Sequence, residues 1–138
     1  MTEPPETGPS PVTPIRVAIA DDNATMRATL DRVLSTSPVF EIAFTAEDPE
    51  ALTGELTANA VDVLVLDLRF GDAWGLDLLP RIRALPDAPV VVVYSAIANP
   101  AVAAEVGQAG VFRLIEKGAP LEELRRAITD AARSRSAC

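Results

Sequence analysis

The sequence has 138 residues, enough for one domain with a substantial hydrophobic core but too few for two ordinary domains. Apolar residues make up 49% of it, which excludes disorder over most of the chain, and no apolar run approaches the roughly 20 residues that span a bilayer. The formal net charge of −8, from 12 Lys and Arg against 20 Asp and Glu, argues against a nucleic-acid-binding surface, because phosphate contacts need clustered cations.

Histidine is absent and the single cysteine, Cys138, is the last residue. Zinc sites, thiol catalysis and a Ser-His-Asp arrangement are therefore excluded. Residues 1–14 contain five prolines and almost nothing that could pack, so we interpret them as a disordered tail that lacks the features of a signal peptide. Together with the lone cysteine, these observations predict a cytoplasmic protein that does not contact a membrane.

From residue 15 onward, short apolar runs alternate with segments whose apolar residues recur at helical spacing. Strands are predicted at residues 15–20, 39–44, 61–66, 90–94 and 112–115. Helices are predicted over residues 26–34, from Asp48-Pro49, over residues 75–85, from Asn99-Pro100 and from Pro120. Pro80 falls inside the third of these helices, where it can introduce a kink.

The apolar run at residues 61–66 is continuous rather than alternating, which is typical of a strand buried on both faces of a parallel sheet. Five strands alternating with five helices predict an α/β fold with a doubly wound parallel sheet. We assign this domain to residues 15–133 and a short C-terminal tail to residues 134–138. Ligands of such sheets bind beyond the carboxyl ends of the strands.

Polar residues follow four of the predicted strands, where each strand leaves the core. Asp21 and Asp22 follow the first strand, Asp67 the third, Ser95 the fourth and Lys117 the fifth. If the strands are parallel neighbours, these side chains meet at one edge of the sheet. Carboxylates close together repel one another and raise their pKa values, and one lysine leaves a charge of about −2 if all three are ionised.

A divalent cation would neutralise this charge, and oxygen-only ligands with partial hydration favour Mg²⁺. We expect Asp22 and Asp67 to be direct ligands and Asp21 to bind directly or through water. The backbone carbonyl of Arg69 is expected to complete the protein's share of the ligands. The sequence therefore predicts a magnesium site at which Asp67 accepts a phosphoryl group.

These residues resemble the receiver domain of two-component response regulators, and the match covers nearly all of residues 15–132. It rests on four motifs that occur in order at the ends of strands, namely Asp21-Asp22, Asp67, Ser95-Ala96 and Lys117. They look like the family's acidic pair, phosphoacceptor, Ser/Thr-Ala pair and lysine. Residues 67–75 are similar to the family's Asp-x-x-Met-Pro-x-x-x-Gly stretch, although Phe70 and Gly71 replace Met and Pro.

The resemblance implies a flavodoxin-like (βα)5 fold with strand order 2-1-3-4-5 and Mg²⁺ as the cofactor. It also implies phosphoryl transfer to Asp67 from the phosphohistidine of a sensor histidine kinase or a phosphotransfer protein. Lys117 and Mg²⁺ would hold phosphoryl oxygens, Ser95 would hydrogen-bond one of them, and Ala96 would leave room for the group. The output would pass through contacts with an unknown downstream protein, with a homodimer as one possibility.

One position departs from the family. Its members usually carry Tyr or Phe three residues before the lysine, and that ring turns inward on activation, whereas this sequence has Leu114. Phe112 is predicted to point to the same face as Leu114, because side chains alternate along a strand. We expect the switch to operate without an aromatic rotamer change or with a contribution from Phe112.

Three alternatives stay open. The sequence resembles receivers that usually precede a helix-turn-helix domain, so it could be the truncated receiver half of a DNA-binding regulator. Leu114 leaves room for a pseudo-receiver, a binding module that acts without phosphorylation. A phosphatase of the haloacid dehalogenase type would need an Asp-x-Asp motif, but Arg69 occupies the place of the second Asp, so we expect no turnover enzyme.

Overall fold

The computed structural model describes residues 13–136, and their largest feature is a five-stranded sheet. Of the two predicted tails, residues 1–12 and 137–138 lie outside the described residues. In chain order the elements are β1 (Ile15–Ala20), α1 (Ala24–Ser35), β2 (Phe40–Ala46), α2 (Pro49–Ala58), β3 (Val63–Leu66), β4 (Arg69–Phe70), β5 (Ala73–Trp74), a 3₁₀ turn (Gly75–Leu78), α3 (Leu79–Arg83), β6 (Val90–Ser95), α4 (Pro100–Gln108), β7 (Arg113–Glu116) and α5 (Leu121–Ser136). Within this part of the chain, every helix is too short or too polar to cross a membrane.

The large sheet has the order β2-β1-β3-β6-β7, and every neighbouring pair of strands is parallel. The two-residue strands β4 and β5 pair only with each other, and without them the order is 2-1-3-4-5. The predicted flavodoxin-like α/β fold is therefore confirmed. Since β1, β3, β6 and β7 are consecutive in the sheet, the residues that follow them share one edge.

Helices cover both faces of the sheet and create two hydrophobic clusters. Leu52 of α2, Ile82 of α3 and Val106 of α4 belong to the first, which we call the α4-side cluster. Leu34 of α1 and Ile128 of α5 belong to the second, the α5-side cluster. The four residues of β3 alternate between the two clusters and are all buried, as expected for a continuous apolar run between two helical layers.

Three helices begin at residues whose side chains accept a hydrogen bond from the backbone. Asn23, Asp48 and Asn99 each accept from the N–H three residues further on, at 2.9, 2.8 and 3.0 Å. Such N-caps satisfy a donor that the first turn of a helix leaves free. Proline follows the cap in α2 and α4, so the helix starts predicted at Asp48-Pro49 and Asn99-Pro100 are confirmed.

The third predicted helix is shorter than expected. The segment begins with a 3₁₀ turn, and α3 itself covers only five residues. Pro80 lies in the first turn of α3, where the helix does not need its missing N–H, so the proline is compatible with α3 and is not in its interior. The preceding hairpin of β4 and β5 was not predicted, because strands of two residues show no periodicity. Gly71 forms its turn with a φ of 63°, a left-handed conformation that suits glycine.

At the edge of the sheet opposite the polar residues, Asp62 joins the start of β3 to the end of α5. One of its carboxylate oxygens accepts from the backbone N–H of Arg16 at 2.9 Å, and the other from Nη1 of Arg135 at 2.8 Å. Nη2 of Arg135 also donates to the carbonyl of Asp87 at 2.8 Å. The last turn of α5, which the sequence analysis assigned to a tail, is therefore attached to the sheet.

Candidate functional site

The strand register brings the predicted site residues together. The N–H of Asp67 donates to the carbonyl of Ala20 at 3.0 Å, which sets the end of β3 beside the end of β1. The N–H of Lys117 donates to the carbonyl of Ser95 at 2.9 Å, which does the same for β7 and β6. These backbone bonds continue the parallel pairing just past the strands, so the side chains that follow converge at one edge.

Lys117 bridges two buried carboxylates. Its Nζ atom lies 2.8 Å from Oδ2 of Asp21 and 2.9 Å from Oδ2 of Asp67. Asp21 is 2% exposed and Asp67 is 8% exposed, so these ion pairs are largely shielded from water. Residues that lie 96 and 50 positions apart in the chain thus form one charged cluster, as the strand-end pattern predicted.

A third carboxylate completes an acidic group. Asp22 is exposed, yet Asp21, Asp22 and Asp67 each offer a carboxylate oxygen, and these oxygens all lie within 4.8 Å of one another. Ligands on opposite sides of a magnesium ion are about 4.2 Å apart, so small side-chain adjustments would suffice to surround a cation. The three side chains could therefore hold a metal. The carbonyl of Arg69 as a further ligand stays a prediction.

Burial raises the pKa of Asp67 above its ordinary value, although hydrogen bonding to Lys117 and the positive charge of that residue partly hold it down. The charge of Asp21 adds to the rise, and a hydrogen bond from the backbone N–H of Arg69 opposes it. Repulsion between carboxylates, the cause expected from the sequence, is thus the smaller contribution. Burial alone would lower the pKa of Lys117, but its bonds to Asp21 and Asp67 outweigh this and raise it, which keeps the lysine charged.

Ser95 and Ala96 lie at the end of β6, next to the acidic group. Ser95 is 1% exposed, and its Oγ accepts a hydrogen bond from the N–H of Ile97 at 3.0 Å. The hydroxyl therefore supports its own loop in this state of the molecule. Ala96 follows as an exposed residue without a bulky side chain. Both stay predicted phosphoryl-binding residues.

Three residues that the sequence analysis did not assign support the site. The N–H of Asn23 donates to Oδ1 of Asp21 at 2.9 Å, and Nη1 of Arg27 donates to the carbonyl of Asp21 at 2.8 Å. The ring of Tyr94 lies 5.9 Å from Nζ of Lys117, close enough for a cation–π contact. Asn23 could have been found as the cap of the first helix. Arg27 is only six positions from Asp21, but no local pattern indicates that its side chain turns back to that carbonyl, and Tyr94 and Lys117 lie on different strands or loops.

Gly75 allows the hairpin to fold back onto the loop that carries Asp67. Its N–H donates to the carbonyl of Leu68 at 2.6 Å. A Cβ atom at this position would overlap the carbonyl oxygen of Asp67. The backbone of the candidate acceptor and that of Gly75 are therefore in direct contact.

A model of the protein family described as response regulator receiver domain matches residues 17–129 of this sequence. The chain belongs to this family. The receiver domain therefore takes up most of the chain and contains every residue of the site just described.

Curated relatives of this receiver domain are longer proteins. Protein-glutamate methylesterase/protein-glutamine glutaminase 2 of Anaeromyxobacter dehalogenans (strain 2CP-C) is 37% identical over 106 residues, which are 77% of this chain and 28% of the relative. Protein-glutamate methylesterase/protein-glutamine glutaminase 5 of the same strain is 35% identical over 127 residues, which are 88% of this chain and 35% of the relative. The chain thus spans about a third of the length of these relatives.

Solved structures agree with the fold of this receiver domain. The signal receiver domain of the putative response regulator NarL from Mycobacterium tuberculosis superposes with a TM-score of 0.79 at 27% identity, covering 87% of this chain and 97% of that one. The response regulator domain of Thermotoga maritima CheB gives a TM-score of 0.77 at 23% identity, covering 88% and 98%, and supports the fold alone.

The receiver domain's switch position differs from the sequence-based expectation. Leu114 packs against the α4-side cluster, whereas Phe112 packs against the α5-side cluster. The prediction that both residues point to the same face was wrong, because β7 begins only at Arg113 and the alternation does not extend to Phe112. Phe112 is therefore not placed to replace the aromatic residue that usually stands where Leu114 does.

Another aromatic residue lies on the α4 side instead. Trp74 is half-buried in β5 and packs against the same cluster as Leu114. Its indole Nε1 donates a hydrogen bond to Oε2 of Glu105 in α4 at 3.0 Å. The two residues are 31 positions apart, and the sequence carries no signal that links them.

Proposed function

We propose that this receiver domain accepts a phosphoryl group on Asp67 from a sensor histidine kinase or a phosphotransfer protein. The observation that carries the proposal is the bridge of Lys117 between Asp21 and Asp67 at the end of a fully buried strand. A carboxylate oxygen of Asp67 would attack the phosphorus of a phosphohistidine. A P–O bond forms, the P–N bond breaks, and the imidazole nitrogen leaves with the electron pair.

The chemistry of the donors supports Mg²⁺ as the cofactor. Asp21, Asp22 and Asp67 supply only hard carboxylate oxygens, the ligands that Mg²⁺ prefers over soft nitrogen or sulfur sites. When bound, Mg²⁺ supplies positive charge that offsets the charge on the transferring phosphoryl oxygens. Asp22 is the exposed member of the set and would be the least costly of the three to reorient toward the ion.

The chain's own residues would position the phosphoryl group. Lys117 lies 2.9 Å from the Asp67 carboxylate and could pair with a phosphoryl oxygen with little movement. Ser95 would exchange the N–H of Ile97 for a phosphoryl oxygen, with its hydroxyl as the donor. Ala96 would leave the approach to Asp67 open. The new group adds a charge of about −1.5 to −2, which makes these rearrangements favourable.

A structural relative supports the proposed class of partner. CheY6 from R. sphaeroides, solved in complex with the P1 domain of CheA3, superposes with a TM-score of 0.74 at 23% identity. We extend this kind of pairing to the present chain as part of the proposal. The esterase and glutaminase activities named for the curated relatives are not included, since this sequence offers neither histidine nor an internal cysteine. In this proposal the domain accepts a phosphoryl group without acting as a turnover enzyme.

The test is incubation with Mg²⁺ and acetyl phosphate, followed by intact mass measurement. We expect the gain of one phosphoryl group in the wild type and none in Asp67→Asn. Asp77→Asn is the matched control, because Asp77 is an exposed carboxylate away from the acidic group, and it should still gain the phosphoryl group. Beryllofluoride with Mg²⁺ provides a second readout, through shifts of the amide signals of residues 67–69 and 95–97. Failure of both readouts would favour the pseudo-receiver.

A further inference from the structure

The hairpin of β4 and β5 is directly connected to the candidate phosphoacceptor. Its first residue, Arg69, is two positions after Asp67, and the backbone of Gly75 at its far end lies against the carbonyl oxygen of Asp67. Arg69 pairs with Trp74 across the hairpin, and the next residue, Gly75, is bonded to the carbonyl of Leu68. A movement of the backbone at Asp67 would therefore displace Trp74, because residues 67–69 are in direct backbone contact with residues 74 and 75.

Trp74 is also bound to helix α4. The hydrogen bond from its indole nitrogen to Glu105 is 3.0 Å long and ends on a charged acceptor, which makes it stronger than a bond between neutral groups. The ring itself packs against the α4-side cluster, to which Val102 and Val106 of α4 also belong. Trp74 is therefore joined to α4 by the hydrogen bond to Glu105, and its ring packs against the cluster that also includes Val106 of α4.

Helix α4 is only lightly held by the rest of the fold. Val106 is its one buried residue among the nine from Pro100 to Gln108. Its cap, Asn99, follows Ser95 by four residues, so the start of the helix is joined to the loop that would close on a phosphoryl group. A helix with few buried contacts is displaced at low cost, and its position depends on the bonds that remain.

We propose that Trp74 provides the aromatic contact with α4 that Leu114 does not, and that its bond to Glu105 transmits phosphorylation of Asp67 to this helix. The inference rests on the proposed function. Phosphorylation moves the start of α4 through the loop after Ser95 and moves Glu105 through the hairpin. The helix shifts as a unit because both of its attachments lead to the same carboxylate.

The experiment compares ¹H–¹⁵N spectra of the full chain with Mg²⁺, before and after addition of beryllofluoride. The variants are Trp74→Phe, which keeps an aromatic ring but removes the donor, and Glu105→Ala, which removes the acceptor. Gln108→Ala is the matched control, since Gln108 is an exposed polar residue of the same helix. Trp74 is the single tryptophan, so its indole N–H gives one assigned signal.

In the wild type and in Gln108→Ala, we expect beryllofluoride to shift the amides of residues 67–69, 95–97 and 100–108. In Trp74→Phe and Glu105→Ala, the first two groups should shift as in the wild type, while the shifts of residues 100–108 decrease by about twofold or more. Undiminished shifts in α4, with the loops responding, would overturn this inference and leave the proposed function intact. The absence of any response in the wild type would overturn both.

Discussion

Replacement of Gly75 by alanine tests whether the hairpin contacts the backbone of the loop that carries Asp67. The added Cβ would overlap the carbonyl oxygen of Asp67 and lie 3.3 Å from Cα of Leu68. Both are backbone atoms, so no side-chain rotation can relieve the overlap. Either the 3₁₀ turn moves outward or the loop after β3 moves away from it.

The expected change in the free energy of unfolding of Gly75→Ala has three contributions. Forcing extra atoms into a packed site costs about 1–3 kcal/mol. Lengthening the 2.6 Å bond from the N–H of Gly75 to Leu68 removes part of a net contribution of about 1 kcal/mol. Loss of glycine's freedom in the unfolded chain returns about 0.4–1 kcal/mol. We expect Gly75→Ala to lower the free energy of unfolding by about 1–3 kcal/mol, which leaves most of the chain folded.

The same shift should impair the chemistry. A displacement of the reacting carboxylate by a fraction of an ångström reduces the rate of a reaction that depends on positioning, and a full 1 Å costs about 100-fold. We therefore expect the rate of phosphorylation of Gly75→Ala by acetyl phosphate to fall by roughly tenfold. Urea unfolding followed by circular dichroism gives the stability, and time-resolved intact mass gives the rate.

Gly54→Ala is the matched control. Gly54 lies inside α2, and a Cβ there would meet nothing within 4 Å. Alanine is favoured over glycine in a helix interior, so this variant should gain about 0.5–1 kcal/mol and keep the wild-type rate. An unfolding midpoint of Gly75→Ala at or above that of the wild type would refute the contact between Gly75 and the carbonyl of Asp67.

Mg²⁺ at 100 times its dissociation constant should raise the free energy of unfolding of the wild type by about 2.7 kcal/mol. At the same Mg²⁺ concentration the increase should be clearly smaller in Asp22→Asn. Equal increases for the two proteins in urea unfolding would contradict a magnesium site that includes Asp22. Lys117→Met should lower the free energy of unfolding by about 3 kcal/mol in metal-free buffer, because it leaves two buried carboxylates without a cation. A decrease of less than about 1 kcal/mol would argue against the two ion pairs. The pKa of Asp67 is higher in the folded state than its unfolded-state value of 3.8. The contribution of this carboxyl group to stability is therefore complete below pH 3.8 and is lost as the pH rises through the folded-state pKa. Metal-free wild type should therefore lose stability relative to Asp67→Asn across that range, and a constant difference between their urea midpoints would contradict the raised pKa.

The sequence allowed the fold and the charged cluster to be predicted for a specific reason. Continuous apolar runs mark strands buried on both faces, and such strands bring their carboxyl ends to one edge whatever lies between them. Asp67 and Lys117 could thus be placed together although 50 positions separate them. The register within the sheet then determined which side chains meet.

Other features depend on contacts that no local pattern specifies. The bond between Trp74 and Glu105 joins a two-residue strand to the exposed face of a helix, and no local pattern in either segment indicates the contact. Phe112 was misplaced because alternation was extended one residue beyond the real start of β7. Pro80 was placed inside the third predicted helix, whereas α3 in fact begins beside it. These errors concern the ends of elements, where packing rather than propensity decides the conformation.

The bond between Arg135 and Asp62 has a consequence for how this domain can be shortened or fused. β3 carries Asp67 just beyond one end and Asp62 just before the other, so the final turn of α5 is bonded to the end of β3 opposite Asp67. Ending the chain at residue 133 would remove Arg135 and leave the Asp62 side chain with only its bond to the backbone N–H of Arg16. A linker to any fused reporter should therefore begin after Ser136, so that the bond between Arg135 and Asp62 is kept at the start of β3.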